Sequence, residues 1–263
     1  EENKTQAFKG LQLISPFLLQ AEFSLPTQNI QLIPINKTFK KPWYFNNDSV
    51  SNDSIQFWIP DPFILDTLEL QVYEGNNLLD TADLIFPKEE SKKKPLKFKL
   101  NPSNINAGLP YFQPLKISAN LPIYTINTNK IFLIEDSLQV PTTINFTPKS
   151  KFIEIQYAWN PELKYTIVIE DSSVVGLGEK QNTDSLFNKF SVRGESKFGS
   201  MEVVFPDVDS TQHLMLLLQD KAGLKNFATQ IGFSSSEFKF NNLPVGSYLL
   251  KVIFDDDQNG QYT

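Results

Sequence analysis

The 263-residue chain has no cysteine. Disulfides, thiolate metal sites and cysteine nucleophiles are therefore excluded. It has one histidine, His213. With a single imidazole and no thiol the common zinc sites cannot be assembled, and any Ser-His-Asp triad would have to use His213. That residue lies in an apolar run beside Met215, far from any Gly-x-Ser-x-Gly nucleophile signature. It reads as a histidine on a half-buried strand. Positive charge is also in short supply: 24 Lys and Arg against 30 Asp and Glu leave a net charge of −6, which argues against a nucleic-acid binder. The basic residues read as scattered, apart from Lys92-Lys93-Lys94, a solvated linker run. No apolar run approaches the roughly 20 residues of a membrane helix; Leu214–Leu218 is of strand length. Sustained helical spacing with caps is missing as well, so helix content is expected to be low.

What is present is alternation. Ile55, Phe57 and Ile59 alternate with Gln56 and Trp58, and Leu68, Leu70 and Val72 with Glu69, Gln71 and Tyr73. Gly75-Asn76-Asn77 reads as a hairpin turn, with Thr81 to Phe86 as the return strand. Six or seven such runs precede Pro87, enough for one sandwich. The first ten residues read as a polar arm. The charged segment Lys88 to Pro95 reads as a linker. A second series starts at Leu96 and includes a long loop, Asp171 to Asp184, that carries Gly176 and Gly178. In a third, Leu214, Leu216 and Leu218 face away from His213, Met215 and Leu217. Leu243-Pro244-Val245-Gly246 then turns into a strand that puts Tyr248, Leu250, Val252 and Phe254 on one face. The expected fold is all-β: tandem sandwiches over 1–87, 96–193 and 194–263, the last incomplete at its C-terminal end. Glu1 is not an initiator methionine, so the chain reads as starting at a cleaved end or as a piece of something longer.

Few residues suggest chemistry. Asp255, Asp257 and Asn259 alternate ahead of Gly260, matching the first half of a calcium loop; the other reading is a polar turn after a core strand. Calcium is the one cofactor the sequence suggests. Glu154, Glu162, Glu170 and Asp171 lie on or beside strands, but nothing sets two of them apart as a catalytic pair, and no enzyme is expected. Trp43, Trp58 and Trp159 are candidates for a sugar-stacking platform, with core packing as the competing reading. Trp43-Tyr44-Phe45 reads as a strand with aromatics on both faces.

Two likenesses bear on the compartment. Leu115–Ile123 with Leu121-Pro122-Ile123, then Ile131–Asp136 and Leu163–Ile169, resembles the bacterial Ig-like domain first described in S-layer proteins. Ala119-Asn120 stands where that family usually has phenylalanine and serine. Asn242 to Tyr248 resembles the prealbumin-like surface domains of Bacteroidota. Together, the chain from about Pro42 onward resembles the C-terminal part of a Bacteroidota family of Ig-like-domain envelope lipoproteins. The resemblance implies an exported protein at the cell surface or the periplasmic face of the outer membrane, held by a lipid anchor outside this chain. It implies no catalytic residues. It points to a scaffold or binding subunit that engages other envelope proteins in an outer-membrane complex. The alternative is a carbohydrate-binding module of a surface glycan-capture system. Asp-Ser or Asp-Thr steps place hydroxyls at Ser49, Ser54, Thr67 and Thr81, and again at Ser137, Ser185 and Ser210. They are similar to the O-glycosylation signal of exported Bacteroidota proteins, and they also suit turns that enter strands.

Overall fold

The computed structural model describes all residues except 1–4, 28, 47–48, 52, 90–94, 206–212, 225, 234–236 and 255–263. The described residues are all-β, and the helices among them are single 3-10 turns of three residues. None is long and apolar enough to cross a membrane. The architecture is a tandem of β-sandwiches.

Seven strands form the first sandwich: β1 (Phe8–Ser15), β2 (Leu18–Phe23), β3 (Ile30–Pro34), β4 (Ser49–Ser51), β5 (Ser54–Trp58), β6 (Thr67–Glu74) and β7 (Asn77–Ile85). They make a sheet ordered β1-β2-β5-β4 and a second ordered β3-β6-β7. The alternation read from the sequence is the core. Phe57, Leu68 and Val72 are fully buried, and Leu19, Ala21 and Phe23 reach the same cluster from β2. Two readings change. β1 begins inside the expected polar arm. The β6–β7 turn is the two residues Gly75-Asn76, with Gly75 at φ 57°, so pairing restarts at Glu74↔Asn77 rather than at Thr81. A positive φ suits glycine in so tight a hairpin.

Strands β8 (Leu100–Pro102), β9 (Leu109–Pro110), β10 (Leu115–Ala119), β11 (Ile123–Ile126), β12 (Ile131–Glu135) and β13 (Leu138–Val140) come next. They are followed by β14 (Thr143–Phe146), β15 (Phe152–Gln156), β16 (Lys164–Ile169), β17 (Val174–Gly176) and β18 (Leu186–Arg193). One sheet runs β14-β15-β10-β8; another runs β13-β12-β16 and on to β18. Leu115, Ile117, Ile153 and Ile155 are fully buried on the first, and Ile167 and Ile169 on the second. The Glu135 carboxylate accepts hydrogen bonds from Tyr157 Oη at 3.0 Å and from Tyr165 Oη at 2.9 Å. Burial, and then that hydrogen bond and charge, hold the Tyr157 phenol above its ordinary pKa.

The long loop from Asp171 to Asp184 is not free chain. It contains β17, which pairs antiparallel with β11, and the 3-10 turn Leu177–Glu179. Asn182 ties it down. This side chain is 3% exposed; its Oδ1 accepts from the amides of Ser173 (3.1 Å) and Val174 (2.9 Å), and its Nδ2 donates to Glu170 O at 2.7 Å. Buried amides without partners are costly, and the Asn182 side chain removes that cost here.

The chain groups into two compact units: 1–106 with 114–157 and 165–189, and 107–113 with 158–164 and 190–263. The expected boundary between 87 and 96 thus falls inside the first unit. In the second unit, β9 pairs in parallel with the end of β18, Leu109↔Val192. Five more strands form a smaller sandwich: β19 (Phe198–Val204), β20 (His213–Asp220), β21 (Asn226–Phe233), β22 (Glu237–Pro244) and β23 (Tyr248–Phe254). Sheet β19-β22 faces sheet β21-β20-β23 across Leu214, Leu216, Leu218, Phe238 and Phe240. Of the four residues expected on one face of β23, Tyr248 and Leu250 pack against this core, whereas Val252 and Phe254, opposite Leu216 and Leu214 in register, stay exposed.

Replacing Asn182 by alanine leaves the Ser173 and Val174 amides buried without an acceptor. The expected loss is about 1–3 kcal/mol, with hydrogen exchange of those two amides accelerated most. Unchanged exchange at both would show that Asn182 is not the anchor.

Candidate functional site

Two features of the first unit stand out. The first is the junction between its two sandwiches. Phe17 lies between β1 and β2, 2% exposed. Its carbonyl accepts from Ile59 N at 2.9 Å, and its ring meets Phe63 edge-on at 5.6 Å. The same ring lies against Gly178, where an added Cβ would stand 2.6 Å from it. Gly178 has φ 66°, so glycine is needed for both backbone and space. The neighbouring Leu177 is fully buried and its amide donates to Pro122 O at 2.8 Å. Gly176, whose backbone is extended, is needed for space alone, since a Cβ there would meet the Phe98 ring at 2.4 Å. Two lysines of the second sandwich reach the rings of the first: Lys149 Nζ is 4.9 Å from the Phe45 ring centre and Lys151 Nζ 5.6 Å from that of Trp58. Tyr124 of β11 is held above its ordinary pKa, first by burial and then by the negative charge of Asp61.

The second feature is a strap, residues 36–45, which runs beside β3. It is irregular rather than the expected strand, and its two ends are tied to β6 and to β5. Asn36 bonds to the β6 backbone at Thr67 O (3.1 Å) and Glu69 N (3.2 Å). Phe45 and Trp58 exchange backbone hydrogen bonds of 3.0 and 2.7 Å. Between the ends, Tyr44 turns inward onto Phe57, with ring centres 5.1 Å apart, and its hydroxyl accepts the Leu32 amide of β3 at 3.1 Å. Trp43 is half-buried. It stacks on Phe39 at 5.9 Å and 25° and meets Phe86 edge-on. Lys37 Nζ lies 5.6 Å from the Phe39 ring centre. Trp43 lines two clefts, one of about 260 Å³ toward Pro60, Asp61 and Leu65, and one of about 620 Å³ toward Ile33 and Pro34. Lys40 and Lys41 line both.

This arrangement corrects several expectations. Trp58 and Trp159 are core residues, 3% and 8% exposed, so the three tryptophans form no platform in a line. Trp58 pairs with Leu18 across β5 and β2, and Trp159 donates its indole N–H to Gln113 O at 2.9 Å. The basic residues are not merely scattered, because Lys37, Lys40 and Lys41 gather on the strap. Sequence reasoning missed that cluster, although three lysines in five residues of an acidic chain signal it. Ser54 is 7% exposed, so its hydroxyl is closed to a glycan, whereas Thr67, Thr81, Ser137 and Ser185 are exposed. Ser49 lies in β4. Ser210 and the calcium candidates Asp255, Asp257 and Asn259 lie outside the described residues. Among the described residues no three acidic or histidine side chains converge as metal ligands. Glu154 forms an ion pair with Lys116 at 3.2 Å.

No family model matches the chain, and no curated protein does. Among solved structures, it is similar to native alpha-2-macroglobulin from Escherichia coli spanning domains MG0-NIE-MG1, at 10% identity, with 97% of this chain and 98% of that one covered and a TM-score of 0.29. It is also similar to a tetra-tandem repeat in the extending region of a large adhesion protein, at 11% identity over 95% and 73% of the two chains, with a TM-score of 0.20.

The Phe17–Gly178 contact makes a specific energetic demand. Gly178→Ala should destabilise the first unit by about 1–3 kcal/mol, from the left-handed backbone and the displaced ring together. In a double-mutant cycle, Phe17→Ala should recover part of that loss. Strict additivity in thermal unfolding would show that the two residues do not meet.

Proposed function

We propose that the chain is a non-catalytic, extracytoplasmic scaffold or binding part of a cell-envelope protein complex at the outer membrane or cell surface. The observation that supports this reading is the junction. Two sandwiches are combined into one compact unit by a buried aromatic wedge, a glycine seat and two cation–π contacts. A spacer built this way presents its loops at fixed separations, and preorganised surfaces lose less entropy when they dock. Membrane association would come from a lipid anchor outside this chain, as in the envelope lipoproteins that the sequence resembles. The exposed hydroxyls of Thr67, Thr81, Ser137 and Ser185 suit O-linked glycans on such a surface.

Stiffness can be measured directly, because a chain without cysteine accepts spin labels only where cysteine is introduced. Labels at Thr81→Cys and Ser137→Cys, one on each sandwich of the first unit, should give a single narrow distance distribution. A broad one would remove the basis of the scaffold reading.

The function itself is tested by purifying the parent protein from its native membrane in mild detergent. Stoichiometric recovery with outer-membrane proteins is the expected result. Recovery of the lone monomer would overturn the proposal.

A further inference from the structure

The strap carries charge and ring faces that no part of the scaffold reading uses. Lys40 and Lys41 are exposed, and among the described residues neither has an ion-pair or hydrogen-bond partner. Each lines both clefts that flank Trp43. The strap residues 37–41 include three lysines and no acid, in a chain whose net charge is −6. Asp61, on the wall of the smaller cleft, is the only acidic residue among the described residues lining the two. The ligand that fits this local sign is an anion.

The cleft walls narrow the choice further. An extended peptide would recognise an edge strand by adding to its hydrogen-bond ladder. Here the edge beside the larger cleft is β3, and it is blocked against that. The Leu32 amide is already taken by Tyr44 Oη, and Pro34 has no amide hydrogen to give. What remains accessible is ring surface: Trp43, Phe39 and Pro42 line both clefts. Flat apolar rings next to cations match a ligand with apolar C–H faces and regularly spaced carboxylates.

We propose that the Trp43 strap is a binding site for an acidic polysaccharide, with uronic-acid rings lying against Trp43 and Phe39 and their carboxylates set against Lys40 and Lys41. The strap is tethered at both ends, by Asn36 and by the Phe45–Trp58 bridge, so the site is built before ligand arrives. The proposal stands independently of the envelope-scaffold reading, since it rests on the strap alone.

The test uses the full chain titrated with polygalacturonate oligomers, followed by tryptophan emission and calorimetry, with neutral dextran oligomers and poly-glutamate as comparisons. Polygalacturonate is expected to bind and to weaken as salt rises, since exposed charges are screened. It should shift the emission of Trp43, while the buried Trp58 and Trp159 do not respond. The double variant Lys40→Glu/Lys41→Glu, on exposed positions outside the core, should weaken binding about tenfold or more. Trp43→Ala should abolish the emission change. Because Trp43 also contacts Phe86, the lysine variant carries the decision if the tryptophan variant does not fold. Equal affinity of the lysine variant and the parent would overturn the proposal, as would dextran binding of equal strength. Poly-glutamate binding as tightly as polygalacturonate would overturn it too, because charge alone would then suffice. So would the absence of any polygalacturonate binding at low salt.

Discussion

The contact on which the first unit depends is an exclusion of volume. The Phe17 ring occupies the place where any other residue at 178 would put its Cβ. That choice fixes several others. Phe17 must be presented by the turn between β1 and β2, and its carbonyl must hold Ile59 so that Phe63 can close on the ring. Gly178 must adopt a left-handed backbone, which in turn places Leu177 inward and Glu179 at φ 56°. Burying a phenylalanine is worth about 1.5–3 kcal/mol. The larger consequence is positional. A close-packed contact admits one arrangement, whereas exposed charged pairs admit many. The cation–π contacts of Lys149 and Lys151 lie beside this seat and add to a geometry that the wedge already defines.

The same logic governs the polar interior. Asn182 satisfies two amides and a carbonyl of a segment that would otherwise be ragged, and so allows Ser173 and Val174 to be buried without stranding their amides. In the sequence this segment reads as a loop because its ordered part is short and its apolar residues show no period. Strands of three residues carry too little alternation to be seen. The long strands were legible for the opposite reason. In β6, Leu68, Leu70 and Val72 face the core and a one-residue slip would expose all three, whereas β20 is apolar throughout and buries Leu214 to Leu218 on both faces.

What the sequence could not reveal was which aromatic side chains the pairing would cover. Trp43, Trp58 and Trp159 look alike in their local surroundings, yet the register of β5 against β2 buries Trp58, and a hydrogen bond to Gln113 accompanies the burial of Trp159. Only Trp43, on a strap outside the ladders, remains at a cleft. The difference lies in long-range pairing, which periodicity does not encode. Likewise Ser54 follows the same Asp-Ser pattern as Ser137 and Ser185, but it begins a central strand and is buried. The cluster of Lys37, Lys40 and Lys41, by contrast, is written within five residues and needed only the strap's geometry to acquire meaning.

Segment 59–65 connects the two features. Ile59 is held by Phe17, and Phe63 packs on the Phe17 ring at the junction. Between and beside them, Pro60, Asp61 and Leu65 form a wall of the smaller cleft. Asp61 also acts on Tyr124 of the second sandwich. A wall shared with a close-packed junction cannot yield to a ligand without disturbing Phe17, and a buried ring resists such displacement. The cleft is therefore set by the same contact that joins the sandwiches. Its rigidity favours ligands whose rings and charges already match the spacing of Trp43 and the strap lysines, because no part of the recognition energy has to be spent on ordering the wall.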